Sequence, residues 1–185
     1  MATTEKFKEN LWYSPYPEEL NQIRVCALAT DPKLTIVEIG SHEGNTTVWL
    51  AKRFPDRRIV AIDPWDGSQD CSTNETFEIF KERIKDFNNI TFIKQKSEKV
   101  SLEKVGVVFH DGNHTKPDFQ RWYNMLEDKG FLLVHDLFDP GWPAIRESFD
   151  LLPAPRYELR FVLTDAQKEG YSPGPRGMGV AWKVT

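Results

Sequence analysis

The chain has 185 residues, 28% charged and 39% hydrophobic, as expected for one globular domain with a full core. Its formal net charge of −4 argues against nucleic-acid binding through a general basic surface, and its two cysteines exclude a disulfide framework. No apolar run is long enough to cross a membrane and the first residues lack the apolar core of a signal peptide, so we expect a cytoplasmic protein.

Helix and strand patterns alternate along most of the chain. Residues 17–30 predict a leading helix with Leu20, Ile23, Ala27 and Leu28 on its core face. Strands are predicted at 35–40, 58–63, 90–95, 105–111 and 130–136. Further helices are predicted at 45–55, 75–87, 115–128 and 143–150. This alternation predicts a parallel sheet covered by helices.

The last part of the chain has a different pattern. Residues 157–163 and 179–184 read as strands with no helix between them, and parallel neighbours would need a crossover, so we predict an antiparallel pair. The whole chain is predicted as an α/β, Rossmann-like fold: a seven-stranded, mostly parallel sheet with an antiparallel last strand and helices on both faces. We divide the single domain 1–185 into an N-terminal lid and helix (1–30), a ligand-binding core (35–136) and a C-terminal helix and β-hairpin (137–185).

The first β-α-β unit carries the most informative pattern. Its first strand ends in Glu38 and Gly40, and Gly44 follows just before a helix start. The second strand ends in Asp63. Glycines let the backbone approach a ligand closely, and an acid at the end of the second strand can hold ribose hydroxyls. The unit therefore predicts a nucleoside-binding half-site.

This pattern differs from the Gly-x-Gly-x-x-Gly fingerprint of dinucleotide-binding folds. Such folds bind a pyrophosphate at the first helix N-terminus, where Glu38 would repel an anion. The site better suits a cationic nucleoside without phosphate, such as S-adenosylmethionine with its ammonium and sulfonium. A nicotinamide oxidoreductase is disfavoured for the same reason, while an ordinary β-α-β turn without a ligand remains the alternative reading.

Polar residues gather at the predicted carboxyl ends of the strands, the edge at which open α/β sheets bind ligands. Asp111 and Asp136 end the fourth and fifth predicted strands. All four histidines also lie at strand ends: His42, His110, His114 and His135. Turn formation and helix capping are the alternative role for each of them. We interpret His110, on the strand face opposite Asp111, as a core or interface residue.

These residues resemble motif I and the following acidic strand end of the class I S-adenosylmethionine-dependent methyltransferases. The chain is similar to a small family within that class, which combines a Trp/Tyr-Ser segment (11–14), an Asp-Gly-x-His (111–114) and a Gly-Phe-Leu-Leu-Val-His-Asp strand followed by Pro-Gly (130–141). The resemblance extends over about residues 11–184. It implies a Rossmann-like methyltransferase fold and methyl transfer from S-adenosylmethionine. Because the chain has the core fold without a large inserted domain, we expect transfer to oxygen of a small-molecule acceptor, or an acceptor bound in a cleft shared within a homodimer.

The resemblance also implies a set of cofactor-binding residues. We expect adenine against the loop that contains Ser97, with Pro64 and Trp65 as an apolar wall. A loop anchor that contacts no ligand is the alternative role for Trp65. The predicted cofactor-binding residues are Glu38, Gly40, Ser41, Gly44, Asp63, Pro64, Trp65, Ser97 and Asp111.

Methyl transfer requires in-line positioning and removal of the acceptor's proton. His114 and His135 are candidate general bases because histidine titrates near neutral pH, and Asp111 can orient them. Asp111, His135 and Asp136 form a candidate site for Mg²⁺ or Mn²⁺, as in the metal-dependent O-methyltransferases that the chain resembles. His135 stands where those enzymes carry an acid, and histidine favours a softer ion, so a site without metal stays open. The functional alternative is a non-catalytic nucleoside-binding protein that keeps the fold.

Overall fold

The computed structural model describes residues 17–67, 72–162 and 175–184. Within these ranges the helices are α1 Pro17–Ala29, α2 Asn45–Arg53, α3 Asn74–Ile84, α4 Phe119–Met125 and α5 Pro143–Asp150. The strands are β1 Thr35–Ile39, β2 Ile59–Asp63, β3 Ile90–Lys94, β4 Val105–His110, β5 Leu126–Val134, β6 Arg156–Val162 and β7 Pro175–Trp182. None of the described helices is both long and apolar enough to span a membrane.

The seven strands form one sheet in the order β3-β2-β1-β4-β5-β7-β6. The first five strands pair in parallel, whereas β7 is antiparallel to both β5 and β6. This confirms the predicted seven-stranded, mostly parallel sheet with an antiparallel last strand. Strands β2 and β3 lie on one side of β1, and β4 and β5 lie on the other side. The carboxyl ends of β1 and β4 therefore meet where the strand order reverses, and sheets of this kind bind ligands at that point.

The core lies on both faces of the sheet. Successive residues of β1 point to opposite faces, so Ile36 packs with α1 and α2 while Val37 packs with α4 and α5. Both are completely buried, and all side chains of β1, β2 and β4 are buried. Continuous burial of this kind explains why the central strands are apolar runs rather than alternating ones.

Helix α4 is shorter than the helix predicted at 115–128, and one predicted core residue of α1 is exposed. Residues 126–128, predicted as the end of a helix, instead begin β5, where Leu126 pairs with Val105 before a register shift. Leu28, predicted on the core face of α1, is 64% exposed. Glu19, Ile23 and Ala27 form the buried row at four-residue spacing, and the next residue after Ala27 is rotated about 100° away from it.

Arg57 connects the end of α1 to the start of β1. Its buried guanidinium donates to the carbonyl oxygens of Ala27 and Leu34 and to the Thr30 hydroxyl. We expect Arg57→Met to lower the free energy of unfolding by about 2–4 kcal/mol, because two buried carbonyls lose a charged donor. Urea unfolding measures this, and the exposed Arg58→Met is the matched control. Equal, small effects of the two substitutions would contradict this role for Arg57.

Candidate functional site

The turn between β1 and α2 depends on Gly40. Gly40 has φ +85°, and a Cβ at this position would lie 2.0 Å from the carbonyl oxygen of Asp111. The backbone after β1 therefore crosses directly over the backbone after β4. Gly44 has φ +84°, but an added Cβ there would meet the Phe80 ring at 2.8 Å. Gly40 thus permits a close backbone crossing at the predicted site, while Gly44 permits packing of the turn against α3.

Glu38 lies within β1 and is completely enclosed. Thr47, in the first turn of α2, donates a short hydrogen bond to its carboxylate. The pKa of Glu38 is raised to about 8, chiefly by burial and in part by the nearby carboxylates of Asp111 and Asp63, against the Thr47 and Ser41 hydroxyls, which lower it. Three acidic groups therefore converge behind the glycine turn, and a cation in the adjoining space would favour the ionised form of Glu38 and offset the charges of Asp63 and Asp111.

The carboxylate of Asp63, at the end of β2, is hydrogen-bonded to the loops around it. Its carboxylate accepts hydrogen bonds from the backbone N–H groups of His42 and Trp65 and from the Ser72 hydroxyl, and only 3% of the residue is exposed. Burial raises the pKa of Asp63 against these hydrogen bonds. Ribose binding by Asp63 stays a prediction, since it requires access to an oxygen that now faces its own loops.

Trp65 does not form the predicted apolar wall. Its ring is 0% exposed and packs 4.8 Å and 4.7 Å, centroid to centroid, from Phe77 and Phe80. Its indole N–H donates to the carbonyl oxygen of His42 at 2.7 Å. With no surface left for a ligand, Trp65 has the alternative role, that of a loop anchor. Pro64 is half-buried and stays a candidate for the wall.

A group of ionisable residues joins the ends of β4 and β5 to α1. The Nδ1 atom of His135 lies 3.0 Å from Asp111 Oδ1 and 3.2 Å from Asp136 Oδ1, and its Nε2 lies 3.2 Å from Glu19 Oε2. Burial alone would lower the pKa of His135, but these three carboxylates outweigh it and hold that pKa well above the ordinary histidine value. His135 is therefore an imidazolium that balances the acids from the α1 side.

His114 approaches the same acids from the opposite side. Its Nε2 lies 3.8 Å from Asp111 Oδ1 and 3.9 Å from Asp136 Oδ2, and its ring packs 5.1 Å from the Trp142 ring. Burial would lower the pKa of His114, and the two carboxylates raise it overall. The pKa values of both aspartates are depressed, because the histidines outweigh burial.

The donor atoms of Asp111, His114 and Asp136 lie within 4.8 Å of one another, close enough for one metal ion. This set differs from the predicted Asp111, His135 and Asp136. Both nitrogens of His135 face carboxylates, and as an imidazolium it has no lone pair for a metal. Two carboxylate oxygens and one imidazole nitrogen fit Mn²⁺ or a similar borderline ion better than Mg²⁺.

A second network lies between the loop after β3 and the start of α4. Asp118 accepts hydrogen bonds from the Ser97 hydroxyl at 3.1 Å, from the Trp122 indole N–H at 2.9 Å and from His110 Nε2 at 2.9 Å. His110 is 2% exposed, in agreement with its interpretation as a core residue. Ser97, the predicted adenine contact, is thus fixed from behind by Asp118.

A family model described as a methyltransferase domain matches residues 37–137, more than half of the chain. The chain belongs to this methyltransferase family. The matched range runs from β1 to just past Asp136, so it contains the glycine turn, Asp63, Ser97 and both strand-end aspartates. The family membership confirms the resemblance to the class I methyltransferases.

Solved structures of similar shape support the same fold. A putative O-methyltransferase from Klebsiella pneumoniae has a TM-score of 0.68 at 15% identity, over 94% of this chain and 83% of that one. The O-methyltransferase TomG from Streptomyces achromogenes, in complex with SAM, has a TM-score of 0.65 at 17% identity, over 93% and 82%. Precorrin-6y C5,15-methyltransferase from Geobacter metallireducens GS-15 has a TM-score of 0.67 at 15% identity, over 98% and 93%.

A curated relative, described as uncharacterized protein R132 of Acanthamoeba polyphaga mimivirus, is 26% identical over 156 residues. The alignment covers 76% of this methyltransferase-family chain and 64% of the relative. The chain therefore spans less than two thirds of the length of that protein.

The sequence prediction missed three residues that shape the site. Glu19 was indistinguishable from a solvated acid in the first turn of α1, where acids are common. Asp118 lies inside the helix predicted at 115–128, and Trp142 directly follows the Pro-Gly pair that carries the resemblance. A weak signal existed only for Glu19, because the four-residue spacing to Ile23 and Ala27 places it on the apolar face.

Proposed function

We propose that this member of the family is an S-adenosylmethionine-dependent methyltransferase that acts on oxygen of a small molecule. The observation that carries the proposal is the convergence of Glu38, Asp63 and Asp111 around the Gly40 turn, with the pKa of Glu38 raised by burial and by its acidic neighbours. Such an environment favours a ligand with an ammonium and a sulfonium over one with a phosphate. The S-adenosylmethionine complex of TomG supports the same cofactor.

Each part of the cofactor has candidate partners in this chain. The acids behind the glycine turn would face its methionine end, with Ser41 and Gly44 completing the turn. Asp63 would hold the ribose hydroxyls, and the loop with Ser97 would contact adenine next to Pro64. The acceptor would then lie between the methyl group and the face formed by His114 and Trp142.

His114, and not His135, is the proposed general base. His135 is enclosed by Glu19, Asp111 and Asp136 and is held protonated, so it cannot accept a proton from the substrate. His114 faces the same aspartates at longer distances through its buried Nε2, and 19% of its side chain is exposed, so the remaining part of the ring would face the acceptor. Asp111 and Asp136 would stabilise the imidazolium that forms when His114 takes the proton.

Alternatively, Asp111, His114 and Asp136 would together hold a divalent ion. When bound, that ion would lower the pKa of an acceptor hydroxyl. In this arrangement His135 compensates part of the negative charge of the two aspartates from behind and fixes their direction. The acceptors that suit such a site are small molecules with neighbouring oxygen atoms, and O-methyltransferases among the similar structures support an oxygen acceptor.

Titration with Mn²⁺, followed by electron paramagnetic resonance, separates the two arrangements. If the metal site is correct, the protein should bind Mn²⁺, and Asp111→Asn and Asp136→Asn should each weaken binding at least about tenfold, in the range typical of metal-site residues. The exposed Asp128→Asn is the matched control. A wild-type protein that binds Mn²⁺ no better than these variants would exclude the metal site and leave His114 as a metal-independent base.

A further inference from the structure

Asp118 can only accept hydrogen bonds in its network. Burial would raise the pKa of Asp118, but the hydrogen bonds, above all that from His110, hold it below its usual value, so the carboxylate is ionised. Three donors converge on its two oxygens: Ser97 Oγ, His110 Nε2 and Trp122 Nε1. Each of the three must therefore point a hydrogen at Asp118.

Donation to Asp118 determines which ring nitrogen of His110 carries a hydrogen. Its Nε2 carries a hydrogen that is donated to Asp118, and its Nδ1 lies 3.5 Å from the backbone N–H of Gly112, in position to accept from it. The network thus extends from the loop after β3 to the loop that contains Asp111. His110 is 2% exposed and also packs edge-on against Phe119, so its ring is enclosed at the centre of this network.

Donation to Asp118 also determines where the hydroxyl hydrogen of Ser97 points. A serine hydroxyl has one hydrogen and two acceptor lone pairs. Because the hydrogen of Ser97 is donated to Asp118 at 3.1 Å, the oxygen presents only acceptor capacity to any other partner. The guanidinium of Arg121 holds the Ser97 carbonyl at 3.4 Å, so α4 fixes both the backbone and the side chain of this residue.

We propose that Asp118 is a specificity-determining residue that fixes Ser97 as an acceptor and so selects the 6-amino group of adenine over a 6-oxo purine. This inference rests on the proposed function, in which Ser97 lies against the cofactor base. The 6-amino group of adenine donates hydrogen bonds and matches an acceptor. The 6-oxo group of hypoxanthine only accepts, and two facing acceptors leave both oxygens unpaired.

The test compares calorimetric affinities for S-adenosylhomocysteine and its deaminated analogue, S-inosylhomocysteine. The wild-type protein should prefer the adenine ligand by roughly 10- to 100-fold, the cost of one mismatched buried hydrogen-bond pair. In Asp118→Asn the new amide can donate to Ser97, whose hydroxyl is then free to donate to a 6-oxo group. The preference should fall to within roughly threefold, which is less than 1 kcal/mol. Ser97→Ala, which removes the acceptor and leaves Asp118 with its His110 and Trp122 donors, should lose the preference as well.

Ser101→Ala and Asp128→Asn, at exposed positions, are the matched controls and should keep the wild-type ratio. A wild-type protein that binds both ligands equally overturns the inference but leaves the cofactor proposal in place. An unchanged ratio in folded Asp118→Asn, or in Ser97→Ala, also overturns it. A protein that binds neither ligand overturns the inference together with the proposed cofactor.

Discussion

Gly40→Ala should destabilise the protein by roughly 2–5 kcal/mol, the sum of a left-handed backbone penalty and a steric clash. Gly40 has φ +85°, and the added Cβ would lie 2.0 Å from the carbonyl oxygen of Asp111. This oxygen belongs to the backbone, held in place because Asp111 N–H donates to the Ile39 carbonyl at 2.8 Å. Relief of the clash must therefore separate the ends of β1 and β4. We expect S-adenosylhomocysteine binding to be lost with the stability.

Gly67→Ala is the control that measures the left-handed backbone penalty without a steric clash. Gly67 has φ +72°, and an added Cβ would meet nothing within 4 Å. It should cost only about 1–2 kcal/mol, the left-handed penalty alone. Chemical unfolding of both variants gives the difference directly. If Gly40→Ala costs no more than Gly67→Ala, the backbones of β1 and β4 do not cross as closely as the structure shows.

Glu19→Gln should lower the free energy of unfolding by roughly 2–4 kcal/mol, near the lower end of the cost of breaking a buried ion pair. Glu19 is 1% exposed and lies 3.2 Å from Nε2 of His135, which retains Asp111 and Asp136 in the variant. Glu18→Gln, at the exposed neighbouring position, is the matched control and should change stability by less than about 0.5 kcal/mol.

The effect of Glu19→Gln should depend on pH. The pKa of His135 is raised in the folded protein, so the stability from its charge is fully present below the unfolded value of about 6.5. It is lost as the pH rises from there through the higher folded pKa. The difference between wild type and variant should therefore be largest at and below pH of about 6.5 and shrink at alkaline pH. A difference that is constant with pH would show that Glu19 does not act through the charge of His135.

The fold was predictable because its determinants are local. Apolar runs, glycine turns and helix starts recur in β-α-β order, and each strand of the sheet was located to within four residues. The predicted boundary between α4 and β5 was wrong because Leu126 pairs with Val105 of β4 ahead of a register shift, and such pairing leaves no local signal. The prediction for Leu28 was wrong because a shift of one residue along α1 is enough to move a side chain from the buried face to the exposed face.

The candidate site was predictable only in part. The carboxyl ends of neighbouring parallel strands lie at one edge of the sheet, which predicted that Asp111, His114, His135 and Asp136 lie close together. It did not predict which histidine faces α1 and which faces away from it. That choice depends on Glu19, which is more than 100 residues away in sequence and attracts His135 toward α1. In the same way, the aromatic residues Phe77 and Phe80 of α3 bury Trp65, and no pattern around Trp65 itself indicates this.

The proposed cofactor site can be tested by calorimetric titration of the protein with S-adenosylhomocysteine, with NAD⁺ as the comparison ligand. The acids around the Gly40 turn should give saturable binding of S-adenosylhomocysteine with an affinity on the order of micromolar, and no binding of NAD⁺, whose pyrophosphate they repel. Absence of S-adenosylhomocysteine binding, or binding of NAD⁺ with similar affinity, would contradict the proposed cofactor site.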